Sequence, residues 1–337
     1  MNIAAIPSRP TGPPAIRTQD SPTCYLCHSL GVALYEKLTD QLFGAPGVWT
    51  VKRCDNPDCS LIWLDPMPME EDMEIAYETY YTHSDTIEQP VIPLKWILDS
   101  YRKYVLPVFS SINPVARERK KLELMGLIEE KPGTLLDVGC GDGARLAKLR
   151  DRGWAAYGQE IDQRAAAVAH TRYHLDVRLG PLEHAGFAEQ FFDLIIMNHV
   201  IEHVHDPIAF LALCRRFLKP NGRLILTTPN SKSTGHKWFG PNWRGLEPPR
   251  HIFIFSMDTL AIVALRAGFT IRRCWSTSAN ANTFSNESLR LIHQGSSSVG
   301  FRIFQTVYRT IYQYSSSFTK VFDPAVGEEC VFDLQKG

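Results

Sequence analysis

LLDVGCGDGARLAKL, residues 135–149, sets an apolar run against three glycines at alternate positions, Gly139, Gly141 and Gly143, and then resumes with apolar residues at helical spacing. The run reads as a strand that carries the chain to the carboxyl edge of a sheet. Glycine admits the backbone of a sharp turn and lets the main chain approach a ligand closely, and the following helix presents its N-terminus there. Alone, G-x-G-x-G fits several nucleotides. No P-loop lysine, serine or threonine follows the glycines, and Ala144 stands where a dinucleotide-binding turn carries its last glycine. The next apolar run, WAAYGQEID, contains Glu160, roughly 20 residues past the glycines, where an acidic side chain can accept two hydrogen bonds from a ribose diol.

Outward from this stretch, short apolar runs alternate with amphipathic ones. TLLDVG, WAAYGQEID, LDVRLG, FFDLIIMNHV, GRLILTTPN, TIRRCWSTS and EECVFDLQK read as strands. GARLAKLRDRG, QRAAAVAHTRY, DPIAFLALCRRFLKP and SMDTLAIVALRAGF read as helices between them. The expected fold is α/β: a Rossmann-like, doubly wound, mostly parallel seven-stranded sheet with helices on both faces and right-handed crossovers. Residues 280–320 read as two helices inserted before the last strand.

The region before residue 121 has a different character. Residues 1–22 are rich in proline and poor in core formers, which predicts a disordered lead-in without a secretory h-region. Eight cysteines are present, four of them in two close pairs, Cys24/Cys27 (CYLC) and Cys54/Cys59 (CDNPDC). In a reducing compartment this spacing points to a tetrahedral all-cysteine zinc site over residues 23–66, with unrelated free thiols as the alternative. A redox pair fits poorly, because no βαβ unit surrounds Cys24. Residues 67–120 read as a helical linker, with a helix expected over residues 70–80 and two further helical patterns within 93–127.

Lysine plus arginine and aspartate plus glutamate both number 36, so the formal charge is zero. That balance argues against partners held by bulk electrostatics, such as nucleic acid or an anionic membrane. No apolar run approaches the ~18 residues of a membrane span. The expected compartment is the cytoplasm and the expected partner a small molecule.

LLDVGCGDG, GQEID, FDLIIMNHVIEHVHDP and FLKPNGRLILTTPN occur in the order and spacing of the class I S-adenosylmethionine-dependent methyltransferases, which residues 121–337 resemble. The cysteine-rich start, YETYYTH and WRGLEPPRHIFIFS resemble a bacterial subgroup associated with sugar, glycan or natural-product methylation. The resemblance implies S-adenosylmethionine as cofactor. It places Asp137, Gly139 and Gly141 along the methionine part, Glu160 on the ribose and Asn198 beside the sulfonium. Where many relatives carry an acidic residue near the adenine, this chain has Pro181 and Leu182, with Glu183 next.

NHVIEHVHDP holds His199, Glu202, His203 and His205, and PPRH supplies His251. If the stretch coils, His199 and His203 share a face. Three alternatives stand. His199 or His251 acts as the base that takes the acceptor's proton. Or the cluster holds Mg2+ or Mn2+, as the resembling Glu-x-x-Glu-His pattern of ubiquinone-pathway and small-RNA methyltransferases implies: His199 stands in place of the first Glu, Glu202 and His203 are kept, and His251 supplies the later His of the small-RNA enzymes. Or Glu202 and His203 only orient the local structure. A sulfonium methyl is already activated, so a histidine cluster is most simply explained by deprotonation of an oxygen or carbon acceptor. The long loop at residues 231–251 offers Trp238, Trp243, Arg244 and Arg250 either as an acceptor wall or as packing. The inserted helices complete the pocket, pack a homodimer, or both. An RNA or protein methyltransferase using the ribbon for recognition, and a non-catalytic cofactor-binding protein, are the competing functions.

Overall fold

A computed structural model describes residues 15–78, 114–293 and 299–337. The seven expected strands are present: β6 (Thr134–Val138), β7 (Ala155–Glu160), β8 (Asp176–Leu179), β9 (Phe192–Asn198), β10 (Leu218–Pro229), β12 (Phe269–Thr277) and β13 (Glu329–Lys336). They form one sheet in the order β12-β13-β10-β9-β6-β7-β8. Pairings from β10 to β8 are parallel, and β13 runs antiparallel between β10 and β12. The period of two puts Leu135, Ile196 and Ile225 against the helices Ala144–Arg150 and Gln163–Tyr173. Leu136, Ile195 and Leu224 face Pro207–Phe217 and Met257–Arg266. Both faces are covered, so the central strands are apolar throughout.

The N-terminal region is less separate than its composition suggests. Strands β2 (Gly31–Leu38), β3 (Trp49–Cys54) and β4 (Ile62–Leu64) form an antiparallel sheet, and its fourth strand is β11 (Phe253–Ile254), nearly two hundred residues later in the chain. A ribbon this small has too little apolar surface to close a core of its own. It takes one from its neighbours: Cys24, Leu26, Leu61 and Trp63 join the core on one face of the large sheet, and Trp49, Val51, Ile62 and Leu64 pack with Phe239, Trp243 and Phe284.

Two expectations change. Within the lead-in, β1 (Thr18–Gln19) pairs with β5 (Met67–Pro68), and Arg17 bonds Asp72, so order begins before Cys24; residues 1–14 lie outside the described residues. The helix expected over 70–80 is a 3-10 turn, Glu70–Asp72, followed by a short helix, Met73–Tyr77. Of the two patterns within 93–127, the first falls outside the described residues and the second is the helix Pro114–Glu123. The inserted helices are Ala281–Ile292 and Val299–Phe322. No helix among the described residues is long and apolar enough to cross a membrane.

The glycine turn is built as the sequence requires, with φ of 65°, 58° and 79° at Gly139, Gly141 and Gly143. The last two serve different ends. A Cβ at Gly143 would sit 2.6 Å from Leu175 Cδ1 and 2.9 Å from Ala169 Cβ, whereas one at Gly141 meets nothing within 4 Å. Gly143→Ala should therefore destabilise the fold by roughly 2–4 kcal/mol, strain plus overpacking. Gly141→Ala should cost only the strain, about 1–2 kcal/mol. Urea denaturation of both variants checks this; equal losses would show that packing behind Gly143 is not the constraint.

Candidate functional site

The carboxyl ends of β6, β7 and β9 lie side by side and bring Asp137, the glycine turn, Glu160 and Asn198 to one edge. Glu160 is buried, and its carboxylate accepts from the backbone N–H groups of Gly141 (2.7 Å), Ile161 (2.8 Å) and Asp162 (2.9 Å). Burial raises its pKa and these three donors oppose the rise. The side chain is thereby fixed across the turn, with acceptor capacity left for a ligand hydroxyl. Gln159 Oε1 accepts from Gly139 N–H (3.3 Å), bracing the turn from the other side.

Asp137 differs from every other acidic group here. It is 1% exposed, and neither carboxylate oxygen has a hydrogen-bond partner among the described residues. Burial pushes its pKa up to about 7. A buried carboxylate without a donor is costly, and a cationic ligand group at the glycine turn would satisfy it. The methionine ammonium of S-adenosylmethionine has that charge. The residues present fit this group.

The histidine cluster does not form one helical face. His199 adopts a left-handed backbone (φ 56°), and only Ile201–His203 coils, as a 3-10 turn. His199 and His203 therefore part company. His199 Nδ1 meets Glu202 Oε1 at 3.0 Å and its Nε2 meets Glu329 Oε1 at 2.8 Å. Burial alone would lower its pKa, but the two carboxylates outweigh burial and lift it to about 10. At neutral pH this ring is an imidazolium. Glu202 is fully buried; burial would raise its pKa, yet the hydrogen bond and charge of His199 bring it down to about 2. Thr228 Oγ1 donates to its second oxygen at 2.9 Å.

His203 and His251 face each other with ring centroids 4.8 Å apart. His203 Nδ1 lies 2.9 Å from the Arg250 carbonyl, and His251 Nδ1 lies 2.8 Å from the Gly245 carbonyl. A carbonyl only accepts, so each Nδ1 carries the proton and each Nε2 keeps its lone pair. Burial lowers both pKa values, so both rings are neutral. Glu202, His203 and His251 offer one ligand atom each within 4.8 Å of one another. Tyr77 Oη reaches His203 Nδ1 at 3.0 Å, and His205 Nε2 donates to the Pro68 carbonyl at 2.7 Å.

The loop after β10 divides by role. Trp243 is buried and donates to Glu328; Arg250 is fully buried, bonded to Glu247 (2.7 Å), Asp40 (2.9 Å) and the Ala76 carbonyl (2.8 Å). Both are packing. Arg244 is mostly covered and pairs with Glu247, while Trp238 is 55% exposed. Sequence reasoning missed Glu329, Thr228 and Tyr77. The pair Glu328-Glu329 inside the apolar run VGEECVF was the available signal.

At the ribbon, Cys24 Sγ lies 3.6 Å from Cys59 Sγ and Cys27 Sγ 3.3 Å from Cys54 Sγ, all as free thiols and all four within 4.8 Å of one another. Tetrahedral zinc with Zn–S bonds of about 2.3 Å asks for sulfurs ~3.8 Å apart. The donor set fits.

Residues 112–273 match the family model described as "Methyltransferase domain". A ubiquinone biosynthesis O-methyltransferase of Cereibacter sphaeroides is 34% identical over 116 residues, 32% of this chain and 47% of that protein. A probable S-adenosylmethionine-dependent methyltransferase of Mycolicibacterium smegmatis is 31% identical over 97 residues, 28% of this chain and 38% of that protein. The chain thus spans about half or less of the length of these curated relatives. Among solved structures, a SAM-dependent methyltransferase from Archaeoglobus fulgidus aligns over 70% of this chain and 100% of its own, at 17% identity and a TM-score of 0.44.

The state of Asp137 yields a pH test. The free carboxyl titrates at about 7, and a cationic ligand favours its charged form. Affinity for S-adenosylmethionine should therefore fall as pH drops through 7, by up to about tenfold per pH unit. Calorimetry between pH 5.5 and 8.5 should show this slope in the wild type, on roughly that scale, and none in Asp137→Asn. A slope that persists in the variant would remove Asp137 from the ligand.

Proposed function

We propose, from the premise that the chain belongs to the class I S-adenosylmethionine-dependent methyltransferases, that it moves a methyl group to a hydroxyl oxygen or an acidic carbon of a small molecule, with a neutral histidine taking the acceptor's proton. The observation that carries this is the 2.9 Å contact of His203 Nδ1 with the Arg250 carbonyl, from which the tautomer follows. Its Nδ1 proton is committed to the Arg250 carbonyl, so Nε2 presents a lone pair next to the ionised Glu202. The base role expected of His199 passes to His203, because an imidazolium has no lone pair to offer. His199 instead contributes a fixed positive charge and orients Glu202. His251 is buried and serves as the second neutral ring of the pair.

The remaining work is alignment and exclusion of water. Asp137 and Glu160 hold the methyl donor at the glycine turn. The names of the relatives, ubiquinone biosynthesis O-methyltransferases, support an oxygen acceptor. Sugars, glycans and natural products remain the acceptor class that the YETYYTH and WRGLEPPRH segments favour, and the neutral charge supports a small molecule over RNA.

One observation favours a second reading. Glu202, His203 and His251 are three ligands with both Nδ1 positions tied to carbonyls, the outer-sphere arrangement that presets imidazoles for a metal. Mg2+ or Mn2+ there would lower the pKa of an acceptor hydroxyl.

The experiment is a mass-resolved search for metabolites that gain one methyl group, followed by kinetics on the acceptor found. Glu160→Ala should weaken cofactor binding roughly ten- to hundredfold, the worth of a charged hydrogen bond. His203→Ala should lower kcat by about 10²–10⁴ while cofactor Kd stays unchanged. Full activity in His203→Ala would end the base assignment. Activity lost on chelation and restored by Mn2+ would favour the metal reading instead.

We further propose that Cys24, Cys27, Cys54 and Cys59 hold one structural zinc, because four thiolates leave no open coordination position. Elemental analysis should give about one zinc per chain. Cys54→Ser should unfold the ribbon and abolish turnover, since β11 and the Arg250–Asp40 pair tie the ribbon to the loop that carries His251. Cofactor affinity should change little, because no cofactor-edge residue lies in the ribbon. Zinc-free protein with a folded ribbon would overturn the assignment.

A further inference from the structure

The long helix Val299–Phe322 has two unlike faces. Its inner face is polar and engaged: Tyr312 donates to Glu328, Gln313 donates to the Ser278 carbonyl (2.5 Å), and Ser316 meets Ser278 (2.9 Å). Its outer face is apolar. Val307, Ile311, Phe318, Val321 and Phe322 are 53%, 62%, 63%, 73% and 74% exposed, and half-exposed Tyr314 lies on the same line. Residues 307, 311, 314, 318 and 321 are spaced alternately four and three apart, the repeat by which one helix seats its side chains between those of another. Phe318 and Phe322 already pack edge to face at 5.0 Å, a preformed aromatic anchor at one end of the stripe.

We infer that this stripe is the interface of a homodimer, formed with the same helix of a second copy. The size fits. Without Tyr314, which is already engaged, the other five side chains leave roughly 500 Å² of apolar surface in water, given about 150–250 Å² for a whole aromatic side chain. That lies in the upper part of the range for an ordinary monomer's largest patch, ~300–600 Å², and would be the apolar centre of an interface to which each partner gives ~800 Å². A two-fold interface is self-complementary, so one stripe per chain suffices. The charges also favour a second copy over a lipid surface. The stripe carries no charge, and Lys320, beside it in sequence, is already engaged by Glu118. The same helix holds the wall of the site from within: Tyr312 fixes Glu328, the neighbour of the residue that grips His199. The dimer therefore stiffens the helix that holds Glu328 in place.

Light scattering on the full chain should give the mass of two 38.1 kDa chains at micromolar concentration. Replacing Ile311→Glu and Phe318→Glu together should raise the dimer dissociation constant at least about a hundredfold, with an unchanged circular dichroism spectrum, and Ile311→Leu should remain dimeric. Hydrogen exchange of the wild type gives a check free of substitutions: protection across residues 307–322 should rise with protein concentration. A wild type that stays monomeric would overturn the proposal. So would a dimer indifferent to both glutamates, or a monomer that sediments with phosphatidylglycerol vesicles, which would assign the face to lipid.

Discussion

Glu202 is an ionised carboxylate with no access to water, and the site is arranged around that fact. Such a group is retained only when donors surround it. His199 supplies a charged partner on one oxygen and Thr228 a hydroxyl on the other, and the neutral rings of His203 and His251 lie beside it without donating. These four residues come from three places in the chain: the turn after β9, the end of β10 and the loop before β11. Glu202 also fixes the main chain, since its carbonyl accepts from Ile252 N–H at 2.8 Å. Holding this one charge therefore sets where the late loop runs over the sheet edge.

The ribbon follows from the same constraint. Ile252 passes directly into β11, which pairs with β4, so the strand that closes the small sheet is the continuation of the segment that Glu202 pins. Arg250, two residues earlier, is fully buried between Glu247 and Asp40 and over the Phe43 ring at 4.8 Å. Removing one partner of such a buried pair typically costs about 3–5 kcal/mol. Ribbon, loop and site are thus one packing unit.

Much of this was legible in the residues and some was not. The alternation of strands and helices from Thr134 to Lys336 follows from periodicity, because strands covered on both faces read as unbroken apolar runs. Asp137, Glu160 and the glycines are legible because adjacent strands deliver them to one edge. The histidine cluster was visible as composition, but its pairing was not. That pairing depends on Glu329, 130 residues from His199, and on the left-handed backbone at His199, which breaks the helical spacing on which a shared face would rest. β11 was invisible for a related reason. Two residues carry no periodicity, and only a sheet edge waiting elsewhere makes Phe253–Ile254 a strand.

The position of β13 has a consequence for how the protein comes into being. It is the last strand of the large sheet in chain order, yet it lies inside the sheet, between β10 and β12, and pairs with both along most of its length. Until it has left the ribosome, β10 and β12 each present an open edge able to capture a foreign strand. The helices and the central parallel strands can gather early, but the sheet closes only through contacts of long sequence separation, which form slowly. Glu329 stands at the first position of β13, so the gripping of His199 belongs to that same closing event. The grip on His199 and the covering of both facing strand edges therefore form in one step, after every other strand of the large sheet is in hand.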